Sequence, residues 1–198
     1  MGLMTGTSLD GIDLSIIKSD GFDSFISILD KFYEFDTILR DNIIELRGKI
    51  HSIEDLKEYS ENLKVIEREL TLFHAEIINK VLKNLKEDID LIGFHGQTIF
   101  HQPKSKTSLQ LGDGKLLSQL TQKLVINNFR QNDLDNFGQG APLTPIFHNQ
   151  IVKNLNLNFN LDYPIKIINI GGITNVSLIT DNGNLEKSIF AYDIAPGN

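Results

Sequence analysis

Met4-Thr5-Gly6-Thr7-Ser8-Leu9-Asp10-Gly11-Ile12-Asp13 packs two glycines, three hydroxyls and two carboxylates into ten residues. Backbone can approach a ligand closely at Gly6 and Gly11, which carry no Cβ. Thr5, Thr7 and Ser8 offer hydroxyls, and Asp10 and Asp13 offer the oxygens a hard cation prefers. The stretch reads as a phosphate-and-magnesium hairpin, with a polar turn between two strands as the plain alternative.

The residues just after Gly11 decide the fold. Ile12, Leu14 and Ile16 alternate with Asp13, Ser15 and Ile17, the period of a half-buried strand. Asp20-Gly21 is a turn signal, and a second strand runs from Phe25 to Tyr33, so the chain opens as an antiparallel meander. Gly6 and Gly11 have the glycine spacing of a Walker A loop, but that loop continues Lys-Ser/Thr into a helix. Here Ile12-Asp13 and a strand come next, which excludes it on chemistry and on context.

The 198 residues allow one large domain or one and a half ordinary ones, and 40% apolar residues suffice for a core. A net charge of −7 argues against a nucleic-acid surface, which would want a basic stripe. With no cysteine, disulfides and thiolate metal sites are excluded, which fits a reducing cytoplasm. No apolar run has the length of a membrane span, and the start lacks the basic and apolar regions of a secretory signal. Met1-Gly2 resembles a myristoylation start, but Gly6 stands where that motif needs Ser or Thr.

Further along, Asp36 is expected to cap a helix through about Arg47, and Ser52 with Asp55 has the spacing of a capping box. Leu56, Tyr59, Leu63, Ile66, Leu70, Phe73, Ile77, Val81 and Leu85 recur at threes and fours. The stripe predicts one long helix lying on a sheet, or a coiled-coil seam, with His74 at its solvent edge. Ile89 to Phe94 reads as a strand running into His95-Gly96-Gln97-Thr98. Leu109 to Leu111 reads as another, closed by Gly112-Asp113-Gly114, then a helix over Lys115 to Thr121 and a strand over Leu124 to Ile126. Such alternation implies an α/β sheet, which places ligands at strand ends.

Asn128 to Leu143 reads as a long polar loop whose chemically useful groups are Arg130 and Asp133; a bland solvated loop is the alternative. A helix is expected from about Thr144, its Asn154 to Asn160 end a surface connection. Ile165 to Ile170 and Ile173 to Ile179 read as strands around Gly171-Gly172. Asp181-Asn182-Gly183-Asn184 reads as a hairpin turn, and Ser188 to Tyr192 as a return strand delivering Asp193 into a loop.

In this order the motifs resemble those of the anhydro-N-acetylmuramic acid kinase family, sugar kinases of the actin and hexokinase superfamily. The matches are Gly2 through Asp13, His95-Gly96-Gln97-Thr98, Gln110-Leu111-Gly112, Phe129-Arg130, Gly138-Gln139-Gly140-Ala141-Pro142-Leu143, Asn169 through Asn175, and Asp193 with Pro196-Gly197-Asn198. The resemblance implies an α/β, actin-like ATPase (ribonuclease H-like) fold. Residues 1–142 would form a complete first domain, and 143–198 a connecting helix and the opening strands of a second. It implies an ATP-dependent enzyme that hydrolyses the 1,6-anhydro bond of a recycled cell-wall amino sugar and phosphorylates O6, giving N-acetylmuramic acid 6-phosphate.

By the same resemblance, Gly6, Thr7, Ser8, Leu9, Asp10, Gly11, Ile12 and Asp13 would be one phosphate hairpin, and Gly171 and Gly172 the other. Asp10 or Asp13 would position Mg2+, Asp193 would be the general base, and His95, Gln97, Arg130 and Gln139 would contact the sugar. A homodimer, or pairing with a separately encoded second half, is also implied, because family members are nearly twice as long and the adenosine-binding segment falls in the other half. An inactive truncated remnant that only binds phosphate or sugar is the competing expectation. The chain departs from the family pattern at Ile194 and Ala195 (usually Thr and Gly), Phe94 (often His), Asn128 (usually Asp) and Phe137 (usually Gly).

Overall fold

The computed structural model describes residues 1–22, 24–180 and 189–197. The expected meander is present as β1 (Gly2–Thr5), β2 (Gly11–Ser19) and β3 (Phe25–Glu34), antiparallel throughout. Period two sends Ile12, Leu14 and Ile16 to one face, where all three are fully buried. β4 (Leu91–Phe94) then pairs parallel to β1, and β7 (Leu124–Asn127) parallel to β4. The sheet order β3-β2-β1-β4-β7 is the α/β, ribonuclease H-like arrangement.

Helices cover the face that carries Ile12 and Leu14. α1 (Thr37–Lys49) starts where the Asp36 side chain accepts from Leu39 N–H at 2.9 Å, and it buries Leu39, Ile43 and Leu46. α2 (Ile53–Glu58) begins at a reciprocal Ser52–Asp55 capping box, so Asp serves where Glu is usual. The apolar stripe does not form one helix. It breaks at Tyr59, and α3 (Ser60–Leu82) carries most of it onto the sheet, helix on sheet rather than coiled coil.

His74 is not at the solvent edge. It is fully buried in α3, its Nδ1 bonded to the Leu70 carbonyl at 2.8 Å and its ring 4.9 Å from that of Phe94. Leu70, His74 and Ile78 share one face at i, i+4 spacing, which outweighs the residue's polarity. Burial holds its imidazole down at about 4.

Between β4 and β7 lie a two-stranded hairpin, β5 (Gln97–Gln102) with β6 (Thr107–Leu111), and α4 (Gly114–Thr121). The polar stretch from Asn128 is not all loop: α5 (Phe129–Asp135) forms inside it, entered through Asn128 at φ 62°. α6 (Pro145–Phe159) then packs on a three-stranded antiparallel sheet of β8 (Ile165–Ile170), β9 (Ile173–Ile179) and β10 (Ile189–Pro196). His148 of α6 bonds Ser177 of β9 at 2.7 Å, and Phe147 meets Phe25 of β3 at 4.9 Å between ring centres.

The opposite face of this sheet leaves Ile168, Tyr192 and Phe190 exposed. β10 runs through Asp193 to Pro196, so Asp193 sits in a strand and not in a loop after it. The expected Asp181 to Asn184 turn lies outside the described residues. No helix among the described residues is long and apolar enough to cross a membrane.

Candidate functional site

The hairpin between β1 and β2 closes with Leu9 N–H on the Gly6 carbonyl at 3.3 Å. Leu9 takes a left-handed φ of 56° and buries its side chain fully, which turns Thr7, Ser8 and Asp10 outward. Ser8 Oγ donates to Asp10 Oδ1 at 2.8 Å. Arg47, in the last turn of α1, donates to the Thr7 carbonyl at 2.8 Å and braces the turn. Sequence reasoning missed Arg47; a basic side chain closing the helix after the meander was its one signal.

Gly11 has a packing reason of its own. A Cβ there would land on the Tyr33 carbonyl oxygen and lie 2.6 Å from the Phe32 ring, so its bare Cα admits β3. Gly6, by contrast, has only Ser8 close by, its Oγ at 3.3 Å, and remains open to approach.

Asp13 points to the uncovered face of the sheet, in register with Met4 and Phe32. Partial desolvation, and then the charge of Asp10, raise its carboxyl above the ordinary carboxylate range. Two carboxylates that feel one another, with a hydroxyl alongside, are a hard oxygen donor set of the kind Mg2+ accepts. Among the described residues no cluster of three or more His, Cys, Asp or Glu side chains could hold a metal. An ion at Asp10 and Asp13 would therefore complete its shell with water and phosphate oxygens.

The second glycine turn faces the first. A Cβ on Gly172 would stand 2.8 Å from Thr7 Oγ1, and one on Gly197 would land on the Gly171 carbonyl oxygen. Gly197 N–H also donates to the Gly172 carbonyl at 3.1 Å, so the end of β10 folds back over the turn. Register places Asn169, Asn175 and Asp193 side by side across the three strands, a polar row on one face. The ladder shifts after Asp193, leaving Ile194 as the extra residue, and Ala195 pairs with Thr174. Ala195 thus continues the strand without a positive φ. Asp193 is solvent-exposed.

A third group of polar residues gathers around β5, β6 and α5. Arg130 Nε donates to His95 Nε2 at 2.8 Å, which requires the proton to sit on Nδ1, and Nδ1 lies 2.6 Å from the Gly96 carbonyl. His95 is therefore neutral with both nitrogens engaged; burial first, and the charge of Arg130 second, lower it to about 4. Arg130 Nη1 donates to the Gly140 carbonyl at 2.9 Å, and Gly140 N–H donates to Asp133 at 2.7 Å.

His101 hydrogen-bonds Ser108 Oγ at 2.9 Å, and Gln110 Nε2 donates to the same hydroxyl at 2.8 Å. Desolvation, and then Arg130, lower His101 as well; its ring also meets the main chain of Gln139, whose side chain is exposed. Gln97 is fully buried, and the amide oxygens of Gln97 and Gln110 have no hydrogen-bond partner among the described residues. The structure thus joins His95 to Arg130 directly, while Gln97 opens β5 two residues further on with its amide nitrogen donating to the Thr98 carbonyl at 3.3 Å. His101, Ser108 and Gln110 are additions that the sequence reading did not select as ligand contacts.

The departures at 94, 128 and 137 have local explanations. Phe94 is a core side chain, packed against His74 and directly under Gly112. Asn128 and Phe137 both adopt left-handed φ values, 62° and 70°. Asn tolerates that region well, whereas Phe does so at a cost of about 1–2 kcal/mol.

The model for the family described as anhydro-N-acetylmuramic acid kinase matches residues 1–198. Relatives carrying that name come from Pelagibacter ubique, 48% identical over 198 residues; Agrobacterium fabrum, 37% over 201; and Paramagnetospirillum magneticum, 34% over 203. In each case the match takes in 100% of this chain and 51%, 52% and 51% of the relative, so the chain spans about half the length of the curated relatives it matches. With the ribonuclease H-like sheet and the two apposed glycine turns, these matches place the chain in the anhydro-N-acetylmuramic acid kinase family.

Proposed function

We propose that the chain carries the phosphate-clamping and sugar-binding part of an ATP-dependent kinase acting in the cytoplasm. That enzyme would convert 1,6-anhydro-N-acetylmuramic acid and water to N-acetylmuramic acid 6-phosphate. The observation that carries the reading is the approach of Gly172 to Thr7, which sets the two glycine turns against one another as the jaws of a phosphate clamp. In this reading residues 1–142 form one subdomain and residues 143–198 the start of the second. The partner is a second copy of the chain or a polypeptide equivalent to the other half of the family's length.

Main-chain N–H groups of Gly6 through Asp13 and of Gly171 and Gly172 would bind phosphate oxygens. Asp10 and Asp13 would hold Mg2+, which supplies neutralisation of the charge that develops on the transferred phosphoryl. Asp193 takes the proton from the water that attacks the anomeric carbon, with Asn175 and Asn169 beside it in the row. The ring-bound O6 leaves the anomeric carbon and accepts the phosphoryl. Gln97, Arg130 and the loop containing Gln139 line the sugar's side, and His95 fixes Arg130.

Coupled detection of ADP tests this. Turnover of the anhydro sugar is expected when the chain is combined with the other half of the family's length, and it should vanish in Asp193→Asn. Turnover that survives Asp193→Asn overturns the assignment of the base. The exposure of Asp193 and of the apolar face of the β8–β10 sheet favours a second reading, in which the chain alone binds ligand without releasing ADP. Clear ADP release by the chain alone overturns that one.

A further inference from the structure

Phe137 stands where a glycine would be less strained. α5 ends in a Schellman arrangement: Gly138 N–H donates to the Asp133 carbonyl at 2.8 Å, and Phe137 N–H to the Leu134 carbonyl at 3.2 Å. This gives Phe137 the left-handed position, at φ 70°, that helices most often fill with glycine. The apolar contact that commonly accompanies such an ending is missing, since Gly138 and Asp133 occupy its places. Burial does not offset the strain either, because the side chain is 88% exposed.

The neighbour described for the ring is Lys106, whose ammonium lies 4.8 Å from the ring centre. Lys106 is left-handed as well, at φ 51°. Gln131 of α5 pins it in place: Nε2 donates to the Lys106 carbonyl at 3.0 Å, and Oε1 accepts from Ser108 N–H at 2.9 Å. Two strained residues, one cationic and one aromatic, are thus held against each other on the surface. Strain that folding does not need concentrates where a protein meets a ligand.

The place of the pair in the fold indicates which ligand. Phe137 comes three residues before Gly140, whose carbonyl accepts from Arg130 Nη1 at 2.9 Å. Three residues of chain span at most about 11 Å, so the ring borders the groups assigned to the sugar. With the ammonium on one face, the other face of the ring is open to the apolar C–H face of a sugar, and Lys106 adds N–H donors for its hydroxyls.

We propose that Phe137 and Lys106 form a stacking platform for a second sugar ring joined to the anhydro amino sugar, so that this chain binds the disaccharide more tightly than the monosaccharide. This rests on the sugar-kinase reading above and adds a subsite beyond it. The adenine of ATP is the other flat ring within the chemistry. It is disfavoured because the phosphate turns at Thr7 and Gly172 contact α1 and the end of β10 rather than α5.

The test is calorimetric binding to the 198-residue chain of 1,6-anhydro-N-acetylmuramic acid, of the disaccharide made by adding N-acetylglucosamine to it, and of ATP with Mg2+. The parent chain is expected to bind the disaccharide on the order of 10-fold more tightly than the monosaccharide. Phe137→Gly should bring the two affinities together while the melting temperature holds or rises, because glycine suits the left-handed position. Phe137→Tyr keeps a ring face and should retain the preference.

Equal binding of both sugars by the parent chain overturns the inference but leaves the sugar-kinase reading standing, as does a preference that survives Phe137→Gly. Equal loss of both sugars in Phe137→Gly, with a lower melting temperature, makes the ring structural and also overturns the inference. A loss confined to ATP assigns the ring to the nucleotide and overturns it too. Failure of the parent chain to bind either sugar overturns the sugar-binding reading and the inference together.

Discussion

Thr5 Oγ1 donates a buried 2.7 Å hydrogen bond to the carbonyl of Gly96, 91 residues further along the chain. The same carbonyl accepts from His95 Nδ1, so the last residue of β1 and the turn after β4 meet at one oxygen. Thr5→Val keeps the shape and removes the donor. It is expected to cost about 1–3 kcal/mol in urea unfolding, because a buried polar contact is lost in a closed space. Thr5→Ser should recover most of that. Identical midpoints for Thr5→Val and the parent would show the bond to be idle.

Two glycines separate backbone necessity from mere tolerance. Gly96 has φ 70°, and a Cβ there would land on the Leu111 carbonyl oxygen, which is backbone and cannot swing aside. Gly96→Ala should destabilise by about 3 kcal/mol or more. Gly48 lies in α1 with nothing within 4 Å of its missing Cβ. Gly48→Ala should stabilise by about 0.5–1 kcal/mol, the usual helix gain. Thermal melts of the two variants should move in opposite directions.

Acid should weaken the fold well before carboxylates titrate. His74 and His95 are both held down at about 4 in the native chain, against 6.5 for a free imidazole. Between those values the unfolded chain binds more protons, so stability is fully present above about pH 6.5 and falls as pH drops toward 4. Each residue accounts for on the order of 3 kcal/mol over that window. Urea midpoints at pH 7 and pH 5 read the loss directly. His74→Leu should flatten the slope by about one proton, whereas a midpoint constant from pH 7 to pH 5 would refute both assignments.

Crowding the clamp tests whether its jaws act together. The methyl of Gly172→Ala would meet Thr7 Oγ1, and it should weaken binding of inorganic pyrophosphate by about tenfold, with little effect on stability because Thr7 is exposed. Thr7→Ala in the same chain removes the obstructing hydroxyl and should restore binding. If the double variant stays as weak as Gly172→Ala, the two turns do not share a ligand.

Legibility in the sequence followed periodicity. The meander, the α1 and α2 caps and the three late strands repeat at two or at three to four, and their end residues carry local chemistry that reads without tertiary context. α5 has neither advantage. It is seven residues long, has no side-chain cap and is entered through a left-handed Asn128, so propensity alone reads it as loop. Tyr59 interrupts a stripe whose spacing continues unbroken, because its backbone leaves the helical region, at φ −92° and ψ 18°, as the last cap of α2 and the first of α3.

At the site, the residue types of the two glycine turns were readable but their partners were not. Gly11 serves β3, Arg47 braces Thr7 across 40 positions, and His95 has both nitrogens committed within the protein. Each depends on a neighbour distant in sequence, which one-dimensional spacing does not encode. His74 is the exception, since its place four residues from both Leu70 and Ile78 already put it on the apolar face.

The three-stranded sheet has a consequence for handling the protein. Ile168, Val176 and Tyr192 form one cross-strand row on the side away from α6, and Lys166, Leu178 and Phe190 form the next. Ile168, Tyr192 and Phe190 are each at least half open to water, at 57%, 50% and 52%. Oily side chains displayed on a pleated surface attract one another between molecules, and the outer edges of β8 and β10 offer unpaired main-chain groups to complete the contact. This surface, rather than the core, is therefore expected to set the working concentration range: dilute, low-salt solution should keep copies apart, and concentration or sulfate should drive them together.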